Sequence, residues 1–536
     1  MADPPDKKVL KATQEDDGNV DRLSALPDCV LLYILSRFCF CTESAAATSV
    51  LSKRWRNLFV LLPEINLYFF ADEDVSDRDR LYSDFINFTN RVIRQRNEAP
   101  IRRIRLVLSH FSERHRMLFE WLLISVAAAF SLSIIQELEI LIVIDRTTKP
   151  LSISVPPEIF TCKTLVSLSL KLGVYWTVPD LVCLPNLKVL GLDMFKLVDE
   201  ACIGKFLQGC PLLEQLELSM RPFNHERDAD EHIEVNFFKI SSPVLKRVIL
   251  CFQGVESEFT TVVESNSLEH LSFLLDGQHK VAIDAPNLRS LKLDGDLLEV
   301  DIIQNLISLD NALLEIDFLC HMRTRSAIIS CSERAFKFFR GLQNVKSISF
   351  SESFLIALYF SQRVLPTFRN LIKLQLDPFD CPAFPRECMS SILSSLFESS
   401  PNLEVLIFSE VSYNGHLYCR LISVVLCSPL CTSNAQVSKN YFSKDEELNS
   451  VFHEALPLVL VECLKEIEIG NFKGEEHELK LVEFFLESGK SLKKMTLFGH
   501  AGVSLSKGLD RILSFKKCSD DCQIVSKAPW NWFFRS

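Results

Sequence analysis

Residues 285–294 read APNLRSLKLD, and the spacing of the leucines in this stretch decides the fold. The first leucine is followed by two variable residues, a second leucine, one variable residue and a third leucine. Because successive strand residues point to opposite sides, this order predicts a strand with Leu291 and Leu293 directed into a core. The residues around them point outward: Ser290, Lys292 and Asp294. One such strand cannot bury its apolar side alone, so it needs similar neighbours.

The same pattern returns through most of the chain, and several copies share a lead-in of proline and asparagine, as in Leu184-Pro185-Asn186-Leu187. This periodicity is typical of leucine-rich repeats, in which stacked units complete one continuous core. Helical segments such as 199–209 return the chain on the outer side. We therefore predict an α/β fold: a small all-α N-terminal unit followed by a leucine-rich-repeat solenoid, with a curved parallel sheet and outer helices. The pattern begins at Ile101, Ile135, Leu165, Leu187, Leu213, Leu245, Leu268, Leu288, Leu313, Val345, Leu371, Leu403, Leu464 and Leu492.

One interval between repeats is irregular: Leu403 and Leu464 are separated by about twice the usual number of residues. We interpret residues 411–445 as an insertion that loops out, which a gene-model error that retains intron sequence would also produce. The alternative is a degenerate extra repeat, since Leu421, Val424 and Leu426 fit the pattern weakly.

The N-terminal unit lies in residues 21–68. Pro27 predicts a helix start, since proline in the first turn costs no hydrogen bond. The helix carries Leu31, Ile34 and Leu35 on one apolar stripe, and Thr42 begins a second helix. A segment this short rarely buries a stable core alone, so its apolar residues need another surface. That surface is either the rest of the chain or a partner.

Three parts of this unit resemble the F-box, particularly its plant form: Leu26-Pro27, Ile34-Leu35-Ser36 and the run from Val50 to Arg56. The residues Phe38-Cys39-Phe40-Cys41 depart from the family pattern. The resemblance implies docking onto a Skp-type adaptor and, through it, onto a cullin. The adaptor contacts implied in this way are Leu26, Pro27, Leu31, Ile34, Leu35, Val50, Leu51 and Trp55, of which Trp55 is also a candidate for the core.

The C-terminal region resembles the FBD region of plant F-box leucine-rich-repeat proteins. Glu475 and Glu476 predict the start of a helix there, because negative charge is favourable at that end. Its inner stripe is Leu479, Val482, Phe485 and Leu486. The predicted division is a disordered tail in 1–20, the F-box in 21–68, a linker and helix in 69–100, the solenoid in 101–462, and FBD capping repeats in 463–536.

Composition excludes several classes of protein. The net charge of −11 argues against a nucleic-acid binder. The apolar run from Trp121 to Ile135 is shorter than the roughly 20 residues of a membrane span, so we expect a buried helix leading into a strand. The cysteines never form a C-x-x-C pair, so we expect no metal, and we expect no cofactor or catalytic constellation. The start lacks a signal peptide, which favours an intracellular protein of the cytoplasm, the nucleus or both.

The function implied by the resemblance is substrate recognition in a Skp-cullin-F-box type E3 ubiquitin ligase, without catalysis by this chain. The alternatives are a repeat scaffold without a ligase, a small-molecule receptor, and a non-functional family member. The residues that alternate with the inward leucines point outward, so they are candidates for target binding. An equally good interpretation is that each simply lies on a solvated face of the sheet. They are Gln215, Glu217, His270, Ser290, Lys292, Asp294, Lys373 and Gln375.

Overall fold

A computed structural model describes residues 23, 25–38, 41–70, 77–94, 101–111, 113–132, 134–144, 152–194, 200–220, 237–252, 259–302, 306–316, 325–377, 386–408, 458–500 and 506–528. The predicted tail (1–20) and the predicted insertion (411–445) lie outside these residues.

Helices and strands alternate through much of the described chain, as an α/β repeat fold requires. The helices are α1 Asp28–Phe38, α2 Thr42–Ala47, α3 Lys53–Val60, α4 Arg78–Arg94, α5 Arg116–Leu132, α6 Glu200–Gly209, α7 Arg325–Arg340, α8 Glu352–Phe360, α9 Arg386–Glu398, α10 Leu458–Glu462, α11 Glu476–Ser488 and α12 Ser506–Leu513. Single 3₁₀ turns occupy Thr48–Val50, Glu113–His115 and Pro157–Thr161.

The strands are β1 Glu64–Phe69, β2 Arg103–Phe111, β3 Glu137–Ile144, β4 Ser167–Lys171, β5 Val189–Met194, β6 Gln215–Met220, β7 Phe237–Ser241, β8 Arg247–Phe252, β9 Phe259–Glu264, β10 His270–Asp284, β11 Ser290–Ile302, β12 Asn311–Ile316, β13 Ser347–Ser351, β14 Lys373–Asp377, β15 Val405–Phe408, β16 Glu466–Phe472, β17 Lys494–Gly499 and β18 Gln523–Lys527.

All strand pairs among the described residues are parallel, and the main ladder follows the chain from β1 to β6, then β8, then β10 to β18. β7 and β9 extend a second ladder along the later halves of β10 and β11. The predicted inward leucines Leu291 and Leu293 are buried in one continuous core, as are the first residues of the predicted repeats except Leu313. The repeat predicted to begin at Leu313 is wrong in register, because Leu313 pairs with the outward Lys292, and Leu309, Ala312 and Leu314 fill the core there. The predicted fold class, a helical N-terminal unit followed by a long parallel sheet of stacked repeats, is confirmed.

The structure gives a physical reason for the asparagine that precedes the first leucine of several repeats. The side-chain amide of Asn186 donates a hydrogen bond of 2.7 Å to the carbonyl oxygen of Lys163, in the preceding repeat. Asn287 does the same to Asn266 at 2.7 Å. These amides satisfy carbonyl groups that the strand ladder leaves unpaired, and each joins one repeat to its neighbour.

One helix differs from its prediction. The run Trp121–Ile135 forms most of α5, but α5 is not a fully buried helix: Trp121 is 65% exposed, and Met117 and Ile124 are exposed on the same side. The buried side of α5 carries Phe119, Leu122, Leu123 and Val126. In α4 the buried side includes Tyr82, Phe85 and Val92, and Leu81 in the first turn is exposed.

The C-terminal helix begins as predicted. Glu475 is the N-cap of α11, and its side chain and that of Glu478 satisfy each other's backbone N–H groups in a capping box. Burial raises the pKa of Glu478, against the opposing effect of backbone hydrogen bonds from Glu475, Lys473 and Gly474. The predicted inner stripe of Leu479, Val482, Phe485 and Leu486 is buried.

The sheet begins earlier than the first predicted repeat. β1 lies at the end of the F-box range, and Ile65 pairs with Ile104 of β2. Thr42 does not cap α2; its hydroxyl accepts a hydrogen bond of 2.8 Å from the backbone N–H of Asn66 on β1. Helix α2 therefore covers the outer edge of the first strand, where a strand would otherwise offer unpaired backbone groups.

The strands that flank the irregular interval are direct neighbours. Leu406 of β15 pairs with Ile467 of β16, and Phe408 pairs with Ile469. The parallel ladder is therefore continuous without a strand from the intervening residues. The looped-out insertion in 411–445 stays a prediction, because those residues lie outside the described part of the chain.

Candidate functional site

The F-box helices build their own small core and join it to that of the sheet. Leu31, Leu35 and Trp55 are buried, together with Leu58 and Phe59 of α3. Leu26 and Ile34 are partly buried against the same core. Because Leu62, Ile65 and Leu67 continue this core into β1, the F-box helices pack on the sheet instead of hanging from a linker.

A clamp around Arg54 holds the start of α3 beside the start of α1. The Arg54 Nε donates a hydrogen bond of 2.8 Å to Asp28 Oδ1, and its Nη2 donates to the carbonyl oxygen of Leu26 at 2.5 Å. Ser52 is the N-cap of α3, and its hydroxyl accepts from the Trp55 N–H at 3.4 Å. The clamp fixes the geometry of two chain segments that leave apolar side chains in solvent.

These exposed side chains form what we call the F-box face: Pro27, Val30, Tyr33, Val50 and Leu51. Val50 is 86% exposed and Leu51 is 65% exposed, in and after the 3₁₀ turn that precedes α3. Val30 and Tyr33 lie on α1, on the side away from Leu31 and Leu35. A pair of apolar residues at i and i+3 outside the predicted stripe is the signal that could have identified Val30 and Tyr33 from the sequence.

The structure thus divides the eight predicted adaptor contacts into three groups. Pro27, Val50 and Leu51 are exposed, and Leu26 and Ile34 are partly buried. Leu31, Leu35 and Trp55 are buried, so in this conformation they support the face instead of offering area to a partner. Adaptor contact stays a prediction for all eight.

The candidates for target binding lie on the open face of the sheet, opposite the core, and the strand register brings most of them into two rows. Gln215, His270, Ser290 and Lys373 belong to one row across β6, β10, β11 and β14. Glu217, Lys292 and Gln375 belong to the next row, and Asp294 lies in a third.

Most charges in the second and third rows are paired with one another. Lys171 forms a 2.6 Å ion pair with Glu217 two strands away; β5 lies between them and has Gly191 beside Glu217 in register. Lys292 lies 3.5 Å from Asp294 and 3.6 Å from Glu315. Partly exposed pairs of this kind contribute little to stability, but they neutralise this part of the surface.

The first row has a different electrostatic character. Burial, and secondarily the nearby Arg247, lowers the pKa of His270 below its ordinary value. His270 is therefore uncharged at neutral pH. In the turns beside this row, hydrogen bonds from Lys246 and Lys346 lower the pKa values of Glu214 and Asp310, respectively, so both carboxylates stay ionised.

No group of three or more His, Cys, Asp or Glu side chains among the described residues is arranged to hold a metal ion. Within the same part of the chain, no helix is both long enough and apolar enough to cross a bilayer.

Comparison with known protein families agrees with this geometry. The F-box domain family matches residues 23–64, which contain α1 to α3 and the F-box face. The leucine-rich repeats of the FBD-associated F-box protein At5g56370 family match residues 125–308, and the FBD family matches residues 456–497.

Individual relatives from Arabidopsis thaliana match nearly the whole chain. The F-box/FBD/LRR-repeat protein At1g78750 is 25% identical over 94% of this chain and 96% of its own length. The F-box/LRR-repeat protein At4g14096 is 28% identical over 95% and 96%, and the FBD-associated F-box protein At4g13985 is 25% identical over 97% and 99%. The family recognised from the sequence is confirmed: this chain has the F-box, leucine-rich-repeat and FBD parts of the plant F-box/FBD/leucine-rich-repeat proteins.

Proposed function

We propose that this chain is the substrate-recognition subunit of a Skp-cullin-F-box type E3 ubiquitin ligase. In this proposal the F-box face binds a Skp-type adaptor, the adaptor joins the chain to a cullin, and the open face of the sheet binds a target protein. The observation that carries the proposal is the exposure of Val50 and Leu51 within the segment that matches the F-box domain.

The F-box face has the chemistry of a docking surface. Burying an exposed valine or leucine completely contributes about 1.5–3 kcal/mol, so a few such residues dominate the affinity of an interface. The buried Leu31, Leu35 and Trp55 hold the helices in place, and the Arg54 clamp limits their movement. A partner therefore meets a surface that is already ordered, which lowers the entropic cost of binding.

The contribution of the chain is positional, and it is not an enzyme in the direct sense. Holding the target and the adaptor on one body raises the effective concentration of a target lysine near a conjugating enzyme. This role places the protein inside the cell, in the cytoplasm, the nucleus or both.

The test uses charge substitutions at matched exposure. Val50→Glu with Leu51→Glu is expected to abolish co-purification of a Skp-type adaptor, because two carboxylates would be buried without partners. The control is Val364→Glu with Leu513→Glu, since Val364 is 92% exposed and Leu513 is 64% exposed, far from the F-box in sequence. The control variant should keep the adaptor, and both variants should keep the thermal unfolding transition of the parent chain.

If the F-box variant retains the adaptor, the docking assignment fails and the alternative of a repeat scaffold without a ligase replaces it. Loss of the adaptor in both variants would also contradict the assignment, because the effect would then be general.

A further inference from the structure

One row of the open face combines two cations with neutral residues that can donate hydrogen bonds. In register across β6, β8 and β10 to β14, seven neighbouring positions contain no Asp or Glu, and Val189 and Val405 bound them on either side. We call these positions the donor row: Gln215, Arg247, His270, Ser290, Asn311, Ser347 and Lys373. Every side chain in it can donate a hydrogen bond. The next row also lacks Asp and Glu from Ile249 to Ile407, but its cation, Lys292, is paired with Asp294 and Glu315.

The two cations of the donor row are available to a ligand. Arg247 and Lys373 form no ion pair with any residue in the described ranges. The acids of the adjoining turns are already paired: Glu214 lies 3.1 Å from Lys246, and Asp310 lies 2.7 Å from Lys346. Glu269, one residue before His270, forms no such pair within the part of the chain that the structure describes.

The spacing of the two cations sets the length of a ligand that reaches both. Arg247 and Lys373 are five strand spacings apart, from β8 through β10, β11, β12 and β13 to β14. At about 4.8 Å per spacing this is roughly 24 Å, which an extended peptide covers in about seven residues. The neutral donors between them can hydrogen-bond to the carbonyl groups of such a peptide.

We propose that the donor row binds an extended acidic segment of the target protein, with two Asp or Glu side chains about seven residues apart, one at Arg247 and one at Lys373. The inference rests on the proposed role as a target receptor and names the chemistry of the target. The chain has a net charge of −11, so attraction for an acidic segment has to come from local cations such as the two of this row.

The test measures the binding of fluorescent peptides to the full chain by anisotropy at low ionic strength. The probe is a nine-residue Gly/Ser peptide with glutamates at positions 1 and 8, and its reference has glutamines at both positions. We expect the glutamate peptide to bind at least fivefold more tightly, and the ratio to shrink as salt is added. Moving the second glutamate to position 2 should remove most of the difference.

Variants assign the effect to the donor row. Arg247→Gln with Lys373→Gln should abolish the preference for the glutamate peptide. Arg363→Gln with Lys490→Gln removes the same charge from exposed cations elsewhere and should preserve it. Glu269→Gln should strengthen binding, because it removes the acid beside His270. Equal binding of both peptides, or equal loss of preference in the two double variants, would overturn the inference.

Adaptor co-purification on the same variants separates this inference from the proposed function. Arg247→Gln with Lys373→Gln should keep the adaptor, since neither residue lies in the F-box helices. If the peptide preference is absent while the adaptor is retained, the inference alone fails. If Val50→Glu with Leu51→Glu retains the adaptor, the ligase role fails whether or not peptides bind.

Discussion

The F-box face and the donor row expose side chains for opposite physical reasons. On the F-box helices, apolar residues occur on two sides, so that one set fills the core and a second set, including Val50 and Tyr33, stays in solvent. On the sheet, alternation along each strand sends one set of apolar residues inward and leaves the alternate residues, most of them polar, on the open face. The comparison indicates that the chain offers one surface that binds by burying apolar area and another that binds by charge and hydrogen bonds.

The two surfaces also differ in how their positions are held. Short helices would be marginal alone, and these are stabilised by packing on β1 and by the Thr42 hydrogen bond to Asn66. The donor row is held by the parallel ladder itself, in which every residue has a partner on each side. A substitution in the F-box core should therefore disturb its surface, whereas a substitution on the donor row should leave the sheet intact.

The largest expected effect is in the F-box core. Leu31→Ala should lower the free energy of unfolding of the F-box unit by about 2–5 kcal/mol, because it leaves a cavity at a fully buried position. Val50→Ala, at an exposed position of the same unit, should change it by less than about 0.5 kcal/mol. Chemical denaturation monitored by tryptophan fluorescence measures both. Equal effects of the two substitutions would erase the proposed distinction between core and face.

An intermediate effect is expected from the pH dependence of the donor row. The lowered pKa of His270 keeps it neutral at pH 7, so protonation begins only as the pH falls below the ordinary histidine value of about 6.5. The added positive charge, with Arg247, Arg289 and Glu269 nearby, should tighten binding of the glutamate peptide roughly two- to fivefold between about pH 6.5 and 5, where peptide glutamates remain ionised. His270→Gln should flatten the profile. A rise that persists in that variant would assign the effect to another group.

The smallest effect is expected from removing residues 411–445. Because β15 and β16 pair directly, the deletion should leave the ladder and both surfaces in place. A shorter connection changes the free energy of loop closure by about 1 kcal/mol. Thermal unfolding and adaptor co-purification should match those of the full chain. Loss of folding would show that the segment is an integral part of the solenoid and would favour the extra-repeat interpretation.

Much of the fold could be predicted from the sequence, because each repeat contains the same spacing of apolar residues within a short segment. The positions of Leu291 and Leu293, the start of α11 at Glu475 and the helix before Cys210 were all predicted. The exposed side of α5 was not predicted. A run of apolar residues indicates a helix that packs on a core, but it does not determine how much of the helix surface the neighbouring elements cover. The same gap applies to the adaptor contacts, where the motif identifies the segment but does not separate core residues from surface residues.

The amino-acid order alone established the alternation of apolar and polar residues, the repeat and the family, because these depend on spacing along the chain. Only the packed structure decided that Leu31 and Trp55 lie inside while Val50 lies outside, and that Arg247 and Lys373 share a row with residues from five other strands. The reason is that burial and register are relations between distant segments, and these exist only once the repeats have stacked.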